Sequence, residues 1–172
     1  SMQQSIAALK HYAPEVAVAG LVRYMVGCQP NEFKLDNFMS GEAGIFPIDL
    51  DWAFDRHVLE TMPCNLRGVK GMYPDEINGA EKWRSLFDKT NEAAVKAAML
   101  EMHQRAATVL TDDLIDEVVD KFAVGVNNES LLSGADLKYA KDFMKKTRAV
   151  SQKVCKENGV EVKMAPKAKP KA

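Results

Sequence analysis

The sequence predicts a mainly helical domain carrying one small β-hairpin, an α+β arrangement dominated by helices. Three observations predict it. Residues 14–27 are apolar almost all round, as a helix buried at the centre of a domain must be. Beyond about residue 80, apolar residues recur at helical spacing through several further segments. Between these regions, two short apolar runs flank a glycine-containing turn at about 37–49, the pattern of a hairpin.

A chain of 172 residues is long enough for one well-buried domain, expected over 3–159, with 160–172 as a flexible tail rich in Lys and Pro. Hydrophobic residues at 47% and charged residues at 27% are those of an ordinary globular protein. A formal net charge of -1 excludes a globally electrostatic nucleic-acid binder, so no specific nucleic-acid partner is expected. The apolar stretch Val16 to Cys28 is interrupted by Arg23 and is too short to span a bilayer, so no transmembrane segment is expected. Cys28, Cys64 and Cys155 are widely spaced and form no CxxC pattern. That excludes a cysteine zinc site and a disulfide framework, and it points to a reducing, cytoplasmic setting. Ser1-Met2 is followed by polar Gln3-Gln4 rather than by a secretory signal, and it reads as a cloning remnant on a piece of a longer protein.

Taken in order, residues 3–12 carry a weak helical stripe of Ile6, Ala7 and Leu9, ended at Ala13-Pro14. Pro14 suits the first turn of the next helix, which runs to about Gly27 with Arg23 and Glu15 as its only charges. Residues 28–36 read as a loop. Phe38-Met39 and Ile45 to Ile48 form the two arms of the hairpin, and Pro47 confines the second to a short or edge strand. From Asp55 to Gly79, five Pro and Gly residues dissolve any stripe, and a long functional loop is expected. A helix is expected from near Ala80 towards Val109, with Trp83, Leu86, Phe87, Ala94, Ala97, Ala98 and Met102 along its stripe and a break at Thr90-Asn91. Thr111 caps the following helix to Phe122, whose first turn carries Asp112 and Asp113 and whose stripe is Leu114, Ile115, Val118, Val119 and Phe122. Ser133 or Gly134 starts the last helix, with Leu137, Ala140, Phe143, Met144 and Val154 inward and Gly159 closing it.

The densest set of acidic and amide groups lies in EFKLDNFMSGEAGIFPIDLDWAF, residues 32–54. Glu32, Asp36, Asn37, Asp49 and Asp51 all fall there, and a hairpin would bring Asn37 and Asp49 together from adjacent strand ends. Two oxygen ligands so placed suit Mg²⁺, which keeps waters and phosphate oxygens in the rest of its shell. Residues 16–54 resemble the C-terminal-lobe catalytic core of the kinase superfamily, in its phosphoinositide 3-/4-kinase-like branch. Leu35-Asp36-Asn37-Phe38-Met39 is similar to the end of that branch's catalytic loop. Ile48-Asp49-Leu50-Asp51-Trp52-Ala53-Phe54 is similar to its metal-binding segment.

The resemblance implies a kinase C-lobe-like helical domain that binds Mg²⁺ and ATP for phosphoryl transfer to a lipid head group or protein hydroxyl. It implies Asn37 and Asp49 as nucleotide–metal ligands, with Asp51 beside them, and Glu32 and Lys34 in the catalytic positions. Glu32 stands five residues before Asn37, where the family has Asp, and Phe33-Lys34 replace its Arg-His. Too few residues precede Val16 for a glycine-rich loop, an anchoring Lys and a helix Glu. The chain is thus expected to be a fragment or a degenerate form that needs a missing N-lobe or a partner protein.

Two rival readings use the same residues. In one, the chain is a non-catalytic helical interaction module and the acidic residues are turn formers and caps. In the other, Ile45 to Asp51 resembles the start of a haloacid-dehalogenase-like phosphatase, with Asp49 as nucleophile and Asp51 as acid/base, and Thr111 to Asp116 imitates a later acidic motif. Arg56, His57, Arg67 and Lys70 fall where a kinase-like fold has its activation or substrate loop and could meet an anionic head group; a plain solvated loop is the expected reading. His11, His57 and His103 are scattered without a second ligand at helical spacing, and His103 reads as a solvated or satisfied residue. The tail lysines Lys163, Lys167, Lys169 and Lys171 serve solubility.

Overall fold

The computed structural model describes residues 10–28, 38–42, 44–47, 86–125 and 129–163. Four helices and one two-stranded antiparallel sheet are present among them: α1 (Ala13–Met25), β1 (Phe38–Gly41), β2 (Gly44–Pro47), α2 (Glu92–Val109), α3 (Asp112–Phe122) and α4 (Gly134–Glu157). The mainly helical class with one hairpin is as the sequence predicts. The expected helix over 3–12 is described only from Lys10 onward, and the 55–79 loop, Trp83 and the tail beyond Lys163 lie outside the described residues. The chain divides into two compact units, Ser1–Met102 and His103–Ala172.

In the first unit, α1 opens with Pro14 in its first turn, where a missing N–H costs nothing. Its buried residues occur all round the helix, from Ala13 through Val16, Ala19 and Leu21 to Met25. The only charge besides the exposed Glu15 is Arg23, 1% exposed. The helix closes with Gly27 in the left-handed region at φ 82°. There the Cys28 N–H reaches the Arg23 carbonyl at 2.9 Å and the Gly27 N–H reaches Tyr24 at 3.0 Å, a Schellman closure that satisfies two terminal carbonyls.

Helix α1 packs against β2. The strands pair in the register Phe38↔Pro47, Met39↔Phe46, Ser40↔Ile45 and Gly41↔Gly44. The ladder therefore runs further into the glycines than the sequence suggests, with only Glu42 and Ala43 between the strands. Gly44 makes this possible by adopting φ 109°, which a side chain would resist.

Before α2, the expected helix gives way to a turn over Leu86–Asn91. The cause is local side-chain competition for the backbone. Asp88 accepts from the Thr90 N–H at 2.8 Å. Asn91 accepts from the Asp88 N–H at 3.1 Å and donates to the Leu86 carbonyl at 2.8 Å. Lys10 reaches Asp88 at 2.9 Å and ties the start of the described chain to this turn. Helix α2 then begins at Glu92, and its buried stripe is Val95, Met99, His103, Ala106 and Ala107. Ala94 and Ala97, expected on the stripe, face solvent instead. Alanines are too small to fix the rotational phase of a helix, and the bulkier Val95 and Met99 decide it.

In the second unit, α3 starts where its chemistry says. Thr111 is extended, and its hydroxyl accepts from the Leu114 N–H at 3.2 Å. Ile115 and Val119 are buried, whereas Val118, expected inward, is 41% exposed. Helix α4 starts at Gly134, and Ser133 caps it by accepting from the Asp136 N–H at 3.2 Å. The helix ends in a second Schellman closure at Gly159, φ 70°, with Val160 and Gly159 donating to Cys155 and Lys156. Its buried face carries Phe143, Thr147, Val150, Ser151, Val154 and Cys155.

Charge pattern directs the packing of α3 against α4. Lys141 lies 2.8 Å from Asp120 and 3.2 Å from Asp116, one helical turn apart on α3. Arg148 takes Asp112 one turn earlier. The antiparallel seam is thus pinned at three acidic positions spaced by four residues.

Candidate functional site

The predicted site residues Glu32, Lys34, Asn37, Asp49 and Asp51 lie outside the described residues, as do Arg56, His57, Arg67 and Lys70. The structure does describe the scaffold between them. Asn37 immediately precedes Phe38, the first residue of β1, and Asp49 follows two residues after Pro47, the last of β2. Phe38 and Pro47 are direct partners across the ladder. The two segments that carry the predicted ligands therefore leave the same end of one hairpin. Cross-strand neighbours in an antiparallel pair are about 4.5–5.5 Å apart, so the backbone starts these segments side by side.

Around this hairpin, Met39 and Phe46 form a cross-strand pair and both are exposed, at 51% and 40%. Beneath it, α1 brings Arg23 and Tyr24 into the interior of the first unit, and burial pushes the Tyr24 hydroxyl above its ordinary pKa. A guanidinium this deep is costly unless it is bound by acceptors, so Arg23 marks the polar part of an otherwise apolar helix.

The second unit holds a polar pair that sequence reasoning missed. His103 Nδ1 lies 3.0 Å from Ser151 Oγ, and the two residues are 5% and 0% exposed. Burial alone lowers the imidazole to a pKa of about 4, so the ring is neutral at pH 7. Two signals were available: His103 falls eight residues after Val95 and four after Met99, on one stripe, and Ser151 falls four after Thr147 and four before Cys155. Nothing in either stripe says that they meet, because 48 residues separate the partners. Both groups are buried, and burial is the cause that sets the imidazole.

Among the described residues, no group of three or more His, Cys, Asp or Glu side chains is placed to hold a metal ion. Cys28 and Cys155 are free, buried thiols, and burial raises the pKa of Cys155. No described helix is long and apolar enough to cross a membrane. Comparison with known proteins adds no family: no family model, no curated protein and no solved structure matches the chain.

Proposed function

We propose that residues 32–51, mounted on the β1–β2 hairpin, form half of a Mg²⁺–nucleotide site of the kinase-like kind. Asn37 and Asp49 are its metal ligands, with Asp51 as an accessory carboxylate. The observation that supports this reading is the Phe38↔Pro47 pairing, which starts the Asn37 and Asp49 segments from adjacent strand ends. In phosphoryl transfer the protein mainly positions the groups and neutralises charge, so two converging oxygen ligands are the minimum a lobe must supply. Glu32 would orient the acceptor hydroxyl and Lys34 would meet the transferring phosphate. The acceptor is a lipid or protein hydroxyl, and a second lobe closing over the phosphates completes catalysis. The free thiols and the reliance on Mg-ATP suit a reducing, intracellular setting.

The hairpin also favours this reading over the phosphatase-like one. A phosphatase of that type needs the strand before its nucleophile in a parallel sheet, whereas β2 pairs antiparallel with β1 across a two-residue connection. A helical interaction module is the second reading. It draws on Val124, Leu131 and Leu132, which expose apolar side chains at the α3–α4 connection.

Thermal unfolding of the whole chain separates these readings. Mg-ATP raises Tm in the wild type and leaves Asp49→Ala and Asn37→Ala unchanged if the site exists. Identical profiles for all three proteins, with and without nucleotide, would contradict it.

A further inference from the structure

We propose that the His103–Ser151 pair makes the C-terminal unit an acid-sensitive latch, in which protonation of the buried imidazole releases α4 from the C-terminal part of α2. The geometry carries this. The pair is a hydrogen bond between two helices, 3.0 Å long, with His103 5% and Ser151 0% exposed. In the neutral ring, Nδ1 pairs with the Ser151 hydroxyl as acceptor or donor according to the tautomer. An imidazolium presents two donors and a full charge, and one serine oxygen cannot serve both.

Among the described residues, no ion pair brings a charge to the ring, whose polar contact is the Ser151 hydroxyl. On α4, the neighbours of Ser151 along the buried face are Thr147 and Cys155, both neutral. On α3, the buried residues among the described side chains are Ile115 and Val119. The carboxylates of that helix, Asp112, Asp116 and Asp120, are bound to Arg148 and Lys141. On α2 itself Glu101 and Arg105 are exposed. The segment after α4 meets α2 through Gln104 and the Glu161 carbonyl, while the Glu161 side chain is exposed beside Lys163. Burial is accordingly the cause that holds His103 at about 4.

The direction of the switch follows by linkage. The folded pKa lies below the unfolded one, so the stabilisation is complete above about pH 6.5 and is lost as pH falls towards 4. The folded-to-unfolded ratio of the unit falls through His103 by about 80-fold between pH 6.5 and 4, and by about 300-fold in full well below pH 4. Opening the seam would uncover the Ser151 hydroxyl and the Cys155 thiol, both 0% exposed when it is closed.

Two measurements on the full chain test this. The protein has three histidines, so each imidazole can be followed by NMR during a pH titration. The resonance missing from His103→Gln should stay neutral through pH 5 in the wild type. Titration of that resonance near 6.5 overturns the proposal, even if the variant folds poorly. Hydrogen exchange of residues 147–155, corrected for intrinsic rates, supplies the second readout. Between pH 7 and 4.5, protection in the wild type should fall about 50-fold further than in His103→Gln. Ser151→Ala, which keeps the imidazole, should retain the acid response. Equal losses in the wild type and His103→Gln overturn the latch.

Discussion

Arg148 Nη2 lies 2.8 Å from Asp112 Oδ1, while Nη1 of the same guanidinium donates to the Leu110 carbonyl at 2.9 Å. One side chain on α4 therefore closes the corner between α2 and α3, taking an unsatisfied carbonyl past the end of one helix and the first carboxylate of the next. Arg148 is mostly buried, at 19% side-chain exposure, whereas Asp112 is 62% exposed. Arg148→Ala should cost about 1.5–3 kcal/mol, because it strands a carbonyl as well as a carboxylate. Asp112→Ala should cost about 0.5 kcal/mol, as an exposed partner does. Arg148→Lys should recover only part of the loss, since an ammonium cannot span both acceptors in a planar fork. Urea unfolding followed by circular dichroism gives all three values.

The helix caps of the second unit make a separate prediction. Thr111→Ala and Ser133→Ala each remove a hydroxyl that accepts from a first-turn N–H, at 3.2 Å in both cases. Each should lower stability by about 1 kcal/mol. Gly159→Ala forces a side chain into φ 70° and should cost about 1–2 kcal/mol, although the space around it is open.

Phe143 and Val118 test which faces are buried. Phe143 is 0% exposed on α4, and Phe143→Ala should cost about 3–5 kcal/mol, close to unfolding its unit. Val118 is 41% exposed, and Val118→Ala should stay within about 0.5 kcal/mol. A large loss at Val118 would mean that α3 is rotated from the orientation described.

Asp88 gives the first unit its own acid dependence. The Thr90 hydroxyl, and after it the Lys10 ammonium, holds the Asp88 carboxyl well below the usual carboxylate range. A depressed folded pKa stabilises above the unfolded value of 3.8, and that contribution is lost as pH falls below it. Asp88→Asn should therefore flatten the decline in stability below pH 4 while leaving the region above pH 5 parallel to the wild type. Urea midpoints at pH 3, 4 and 6 check this.

The sequence spoke clearly where structure is set by neighbours in the chain. Thr111, Ser133 and Gly159 announce helix ends because capping needs only a hydroxyl or a left-handed residue within one turn. Pro14 marks the start of α1 for the same local reason. The face of α2 is hard to read from a sequence rich in alanine, because its phase rests on the larger Val95, Met99 and His103. Leu86 and Phe87 have helical spacing, but Asp88, Thr90 and Asn91 turn their side chains onto the backbone and stop the helix short. The His103–Ser151 pair was hidden for a different reason: a contact across 48 residues leaves no trace in local periodicity. Of the candidate site, the hairpin was readable from its glycines and the apolar runs that flank them, whereas Glu32, Lys34, Asn37, Asp49 and Asp51 lie outside the described residues.

On the proposed reading, a divalent metal–nucleotide complex binds at the open end of the β1–β2 hairpin. Paramagnetic Mn-ATP tests it directly, because the ion broadens the NMR signals of nearby amides. Adding Mn-ATP to the wild type should selectively remove the Phe38 and Phe46 amide signals, an effect abolished in Asp49→Ala. Hairpin signals that stay sharp at millimolar Mn-ATP, or broadening that survives Asp49→Ala unchanged, would contradict it.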